Sequence, residues 1–234
     1  ALAWTPYFRW RWEHARHHAT SGNLEHRGIG DIWTMTVEEY RRSSPLRRLG
    51  YRLVRNPIFL LGVGPFWLVL GKERLPHGTP NRRARRSVWW TNLFLVGMVA
   101  LGVTVFGWLH YLIIQCIIIG VSGGAGIWLF YIQHQFEDAY WVRAEEWDFA
   151  DAALRGSSFY KLPKVLQWFS GNIGFHHIHH LSPRIPNYRL AKCHASTGAF
   201  QQVPVLTLRG SLRTLSLRLW DEAAEKLVGY DRAA

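Results

Sequence analysis

Polarity is distributed along this chain in long blocks. Residues 88–133 are almost free of charge, with His110 and Gln115 as the main polar interruptions. At roughly 1.5 Å of rise per residue, that stretch is about two bilayer thicknesses long. It predicts two helices, at about 88–108 and 111–133, joined by a tight turn near Gly107–His110. The small residues Gly120, Ser122, Gly123, Gly124, Ala125 and Gly126 would let another helix approach closely. A hairpin of this kind returns the chain to the side from which it entered.

The flanking segments read differently. Residues 57–71 are apolar but interrupted by Gly62, Gly64 and Pro65. A crossing needs about 20 apolar residues, so this stretch predicts a re-entrant or interfacial segment. Upstream, Thr36 and Glu39 form a capping box for a short helix. Ser44 as cap with Pro45 at the first helical position opens another. Leu46, Leu49 and Leu53 share one face of it, while Arg47, Arg48, Arg52 and Arg55 fill the rest. That pattern predicts a basic amphipathic helix on a membrane surface. Residues 72–87 read as a polar loop containing Arg82, Arg83, Arg85 and Arg86. Near the end, Leu212, Leu215, Leu219, Ala223 and Leu227 predict an amphipathic helix over 209–228. The expected fold is all-α: an integral membrane helical hairpin with interfacial amphipathic helices and a cytoplasmic histidine-rich cap.

The net charge of +12 would suit nucleic acid if it lay in a groove of a soluble fold. Here the arginines flank apolar spans, so anionic lipid headgroups are the expected partner and nucleic acid is not. Arginine on both outer flanks makes that side cytoplasmic by the positive-inside rule. The thirteen tryptophans fit a membrane–water interface. Cys116 and Cys193 lie far apart and imply no disulfide framework.

Two histidine clusters stand on either side of the apolar block, His14-Ala-Arg-His17-His18 and His176-His177-Ile178-His179-His180. Both contain His-x-x-His-His, whose outer members share one helix face. Neutral imidazole is the commonest metal ligand near pH 7, and the hairpin brings both clusters to one side. His134, where the last span leaves the membrane, joins them as a candidate. Six or seven imidazoles exceed the roughly three or four protein ligands of one zinc site, so two metals are expected. Nitrogen-rich sites suit zinc, copper, iron and nickel. The chain has no Glu-x-x-His pair of the kind that soluble di-iron bundles use. His177 points away from its neighbours on a helix and is a candidate for holding a ligand from behind. Asp148, and Asp151 beside it, are candidates for orienting imidazoles. His26 is a weaker metal candidate, and His77, His110 and His194 read as loop or interface residues.

These motifs resemble those of the membrane fatty acid desaturases, especially the bacterial acyl-lipid, omega-6 (delta-12) type. His14, His17 and His18 look like the family's second histidine box. The stretch from Gly171 to Tyr188, which includes Asn172 and His176–His180, looks like its third. His134 and the Glu146-Trp147-Asp148 segment also match. The resemblance implies metal ligation by His14, His17, His18, His134, His176, His179 and His180, with His177, Asp148 and Asn172 behind them. It implies two iron ions, dioxygen as co-substrate, and insertion of a cis double bond into an acyl chain held in a lipid or on an acyl carrier. Electrons would come from a ferredoxin or a cytochrome and reductase, since the chain has neither a haem-attachment motif nor a dinucleotide fingerprint. The implied location is a bacterial inner membrane with the histidines facing the cytoplasm.

One departure stands out. The family's earlier histidine box, and the membrane helices around it, have no counterpart here. The expectation is that residues 1–234 are a desaturase domain lacking its N-terminal spans and first box, inactive by itself. A related di-iron hydroxylase or carotenoid ketolase is the nearest alternative, because it begins with the same hydrogen abstraction. A membrane metal-binding or transport protein is a distant one, since the hairpin offers little polarity at mid-membrane depth beyond Gln115.

Overall fold

A computed structural model describes residues 3–28, 30–79 and 81–233. The chain is mostly helical, as expected, and divides into two compact units. One comprises Ala1–Arg16 and Leu53–Trp128, the other His17–Arg52 and Leu129–Ala234.

The chain opens with α1 (Tyr7–Thr20), whose second half carries His17 and His18. Two residues of strand, β1 (Met35–Thr36), lead into α2 (Val37–Arg42). The expected capping box is present: Thr36 Oγ1 accepts from the Glu39 amide at 3.1 Å, and Glu39 Oε2 accepts from the Thr36 amide at 2.8 Å. Next, α3 (Pro45–Val54) starts where Ser44 and Pro45 predict. Leu46, Leu49 and Leu53 stand exposed on it.

In the first unit, Phe59–Gly71 forms a short helical segment. Two π-helical turns flank α4 (Gly64–Phe66). Arg9 from α1 pins the chain just beyond, donating to the Lys72 carbonyl at 2.7 Å. Then α5 (Arg82–Phe106) and the run from Trp108 to His134 form the hairpin. Both are long and apolar enough to cross a membrane. The second run comprises α6 (Trp108–Ile118), a π-helical stretch Ile119–Gly123, and α7 (Gly124–His134).

Two boundaries differ from expectation. The first span begins at Arg82 because Asn81 caps it, accepting from the Ala84 amide at 2.7 Å, so the four arginines lie on its first turns rather than in a loop. The turn shrinks to Gly107 alone, whose φ of 76° ends one helix and starts the next. The small-residue stripe does bring backbones together. A Cβ on Gly123 would lie 2.7 Å from Pro65 Cβ, and one on Gly124 would lie 3.0 Å from the Leu61 carbonyl.

In the second unit, α8 (Phe149–Arg155) packs against the later histidine helix. Then follow β2 (Phe159–Lys161), α9 (Lys164–Phe169), α10 (His176–Leu181) and α11 (Asn187–His194). β3 (Val205–Thr207) pairs in parallel with β2, Phe159 opposite Val205.

The expected helix over 209–228 is not formed as one piece. Only α12 (Leu208–Arg213), capped by Thr207, and a 3₁₀ turn are helical. The chain then becomes a hairpin of β4 (Leu219–Asp221) and β5 (Lys226–Val228). Asp221 Oδ1 accepts from the Ala223 and Ala224 amides, which builds the turn. β4 pairs in parallel with β1, Met35 opposite Leu219. Met35, Val37, Tyr40, Tyr51 and Leu219 are buried around this junction. The all-α expectation therefore holds for the spans and histidine helices but misses two small sheets.

Candidate metal centre

Four imidazoles from three helices converge in the second unit. His17 comes from α1, His134 from the last residue of α7, and His176 and His180 from α10. All four are buried, and one ring nitrogen of each lies within 4.8 Å of the others. His17 Nε2 is 3.1 Å from His134 Nε2, and His176 Nε2 is 2.9 Å from His134 Nε2. Beside them, His18 Nε2 is 3.1 Å from His179 Nε2. His14 stands four residues before His18 on α1, one turn along the same helix face.

Local sequence explains the convergence. His176 and His180 are i and i+4 on α10. A tight turn aims that helix, with φ of 62° at Gly171 and 59° at Asn172. Asparagine tolerates this conformation better than most residues. Gln133, the neighbour of His134, ties the end of α7 to the same turn through the Ile173 carbonyl at 2.9 Å.

The proton positions can be assigned from the hydrogen bonds. His134 Nδ1 is 3.1 Å from the Gly156 carbonyl, which only accepts, so Nδ1 carries the proton. His17 Nδ1 donates to Asp31 Oδ1 at 2.6 Å. In their neutral forms, both rings therefore present bare Nε2 lone pairs to each other. Two lone pairs at 3.1 Å repel unless something positive lies between them. His180 Nε2 is likewise buried without a hydrogen-bond partner.

Burial, followed by the neighbouring imidazoles, holds His176 and His180 well below the usual imidazole pKa. Burial and then His17 push His179 down to about 4. These histidines are neutral near pH 7, the form that binds metal. A metal–nitrogen bond of about 2.1 Å puts opposed ligands roughly 4.2 Å apart. Ligands at right angles on the same bond length stand roughly 3.0 Å apart, which the 2.9 and 3.1 Å separations match, so the cluster fits a nitrogen-ligated transition metal.

The sequence profile of the fatty acid desaturases matches residues 1–205. The chain belongs to the fatty acid desaturase family. It is 46% identical to a fatty acid desaturase of Bacillus subtilis (strain 168), over 96% of this chain and 64% of that protein. It is 25% identical to the sn-1 oleoyl-lipid 12-desaturase of Synechocystis (strain PCC 6803), over 82% of this chain and 54% of the other. An sn-1 acyl-lipid omega-3 desaturase (ferredoxin) of Nostoc (strain 36) is 27% identical, over 80% and 52%. The chain thus spans between about half and two thirds of the length of these desaturases.

The remaining candidates fall in other places. His177 turns away from the cluster, its Nε2 3.1 Å from His194 Nδ1. Burial and then His194 lower it to about 4. His26, His77 and His110 are exposed. Asn172 donates to the Asn187 carbonyl at 3.1 Å, which holds the turn before the box. Asp148 caps α8, accepting from the amides of Ala150 and Asp151. It reaches the metal centre only through that helix, which ends at Gly156, the residue whose carbonyl orients His134. Asp151 pairs with Arg155 on the same helix, at 3.6 Å. The carboxylate that does touch a candidate ligand is Asp31, which the sequence pattern did not single out. The signal available was Gly28 and Gly30, a pair of glycines that lets the chain turn back after the first box.

Proposed function

We propose that this chain is the histidine-rich catalytic part of an oxygen-dependent di-iron acyl desaturase. The reaction removes two hydrogens from adjacent methylenes of a lipid acyl chain and leaves a cis double bond. The observation that carries this reading is the buried convergence of His17, His134, His176 and His180 in a chain of the desaturase family. Bound iron supplies what side chains cannot, activation of dioxygen and cleavage of an unactivated C–H bond.

The protein's own residues hold and orient. Gly156 and Asp31 fix which nitrogen of His134 and of His17 faces the metal. The burial of the cluster excludes bulk water, which protects reactive oxygen chemistry from side reactions. His18 and His179, with His14 on the same helix, would hold the second iron. The names of the relatives support an acyl-lipid substrate and ferredoxin as the electron donor. The arginine-rich flanks support a bacterial inner membrane with this cap in the cytoplasm.

The test is a fatty acid profile with double-bond mapping. The chain is expressed in a host with a suitable electron donor, by itself and joined to the family's earlier histidine box and spans. A new double bond only in the joined form is expected. Hydroxylated lipid would move the reading to a hydroxylase. An unchanged profile from an iron-loaded joined form would overturn acyl desaturation.

A further inference from the structure

We infer that Asp31 is a positioning residue that sets metal affinity by locking His17 in one tautomer; this rests on the metal-centre reading above. Its Oδ1 accepts from His17 Nδ1 at 2.6 Å, shorter than the ordinary N–H···O range. The side chains are 2% and 7% exposed, so solvent does not screen the contact. Among the described residues, His17 is the one ion-pair partner Asp31 has. Its other oxygen is buried with no hydrogen-bond partner.

A buried carboxylate with a single imidazole partner is costly unless positive charge lies close by. Arg27, the nearest arginine in sequence, is committed elsewhere. It is bonded to Glu39 at 2.6 and 2.9 Å and to the Leu24 and Thr34 carbonyls. The charge that compensates Asp31 is therefore reached through the ring of His17. A cation at Nε2 does this, and the carboxylate at Nδ1 in turn makes the ring a stronger donor to that cation.

The backbone is built to place Asp31 there. Gly28 has φ of 102° and Gly30 has φ of 76°, conformations that side-chain-bearing residues rarely adopt. They turn the loop back so that a residue fourteen positions after His17 meets the far side of its ring. His134 has the weaker Gly156 carbonyl instead.

The test measures Fe²⁺ binding to the purified chain in detergent, by titration and by iron content after desalting. The variants are Asp31→Ala, Asp31→Asn and Asp31→Glu, each checked by circular dichroism and thermal melting. Removing an outer partner of this kind lowers metal affinity by roughly 10–100-fold. Loss of that size is expected for Asp31→Ala, a smaller loss for Asp31→Asn, and recovery toward wild type for Asp31→Glu. A merely structural role would be satisfied by asparagine and would leave iron affinity unchanged in any folded variant. Wild-type affinity in folded Asp31→Ala would overturn the assignment while leaving the metal centre standing. If the wild-type chain and a chain carrying the family's earlier box both bind no iron, the metal-centre reading fails, and this inference with it.

Discussion

Gly22 offers a sharp test of how the first histidine box is anchored. It lies just past α1, with φ of 79°. Its carbonyl accepts from the Val142 amide at 2.9 Å, which ties the end of the box helix to the segment after His134. A Cβ there would sit 2.7 Å from the Tyr140 carbonyl oxygen and 3.0 Å from Tyr140 Cδ1. Gly22→Ala therefore carries two costs. The left-handed backbone costs an L-residue roughly 1–2 kcal/mol. Forcing a methyl against a fixed carbonyl adds about 1–3 kcal/mol. For a chain of this size, each kcal/mol is worth about 2–4 °C of melting temperature, so a fall of roughly 4–20 °C is expected. Gly28→Ala separates the two costs. Its φ is 102°, but nothing lies within 4 Å of a Cβ there. Only the backbone cost applies, about 2–8 °C on the same scale. The assay is a thermal melt of detergent-purified protein followed by tryptophan fluorescence. A Gly22→Ala protein that melts no lower than Gly28→Ala would refute the close-approach argument.

Three further expectations follow the same logic. The Tyr51 hydroxyl, fully buried, accepts from the Met35 amide at 3.1 Å and donates to the Arg218 carbonyl. Tyr51→Phe strands both groups and should cost about 2–4 kcal/mol, seen as a lower melting temperature; an unchanged melt would show that water replaces the hydroxyl. Gly123→Leu should drive the Phe59–Gly71 segment off the second span, broadening the size-exclusion peak in detergent. Gly126→Leu, with open space around it, should not; equal behaviour would contradict the packing described. Burial alone would raise the Glu39 carboxyl, but the Arg27 guanidinium and the Thr36 amide outweigh it and hold its pKa below 4.5. Because the folded value is the lower one, this stabilisation is present above about pH 4.5 and disappears as pH falls through the folded value. The melting temperature of Glu39→Gln should therefore change less than that of wild type below pH 4.5, and parallel curves would rule out the contribution.

What the sequence reveals and what it hides follow from the range of the forces involved. The Thr36–Glu39 capping box, the Ser44-Pro45 helix start and the long spans are local. Each depends on residues within a turn or two, or on sheer length of apolar chain. The stretch 209–228 fails for the opposite reason. Its leucines keep a helical spacing, but Leu219 and Trp220 pair with Met35 and Thr36, far away in the chain. No window of neighbouring residues contains that information. The metal centre shows the same division. Histidines are conspicuous by type and spacing, so His17, His134, His176 and His180 were legible. Their supports were not. Asp31 meets His17 only because two glycines fold the loop back, and the Gly156 partner is a carbonyl that any residue possesses. Asp148 resembles an orienting carboxylate by type, yet the start of a helix claims it first.

The joint at Gly107 has a consequence for how the protein is made. Trp108 and His110 flank it, and no acidic residue, lysine or arginine lies anywhere near the tip. An inserting chain that crosses the bilayer twice ordinarily has to carry a hydrophilic loop through the hydrocarbon before the second helix can follow. Here one glycine replaces that loop. Both helices can leave the insertion machinery sideways as a single body, because helical hydrogen bonds satisfy the backbone within each span. Between residues 82 and 134, almost no polypeptide then stands beyond the two spans on the side of the turn. This hairpin itself therefore offers a protease, a glycan or a partner almost nothing to engage at its tip.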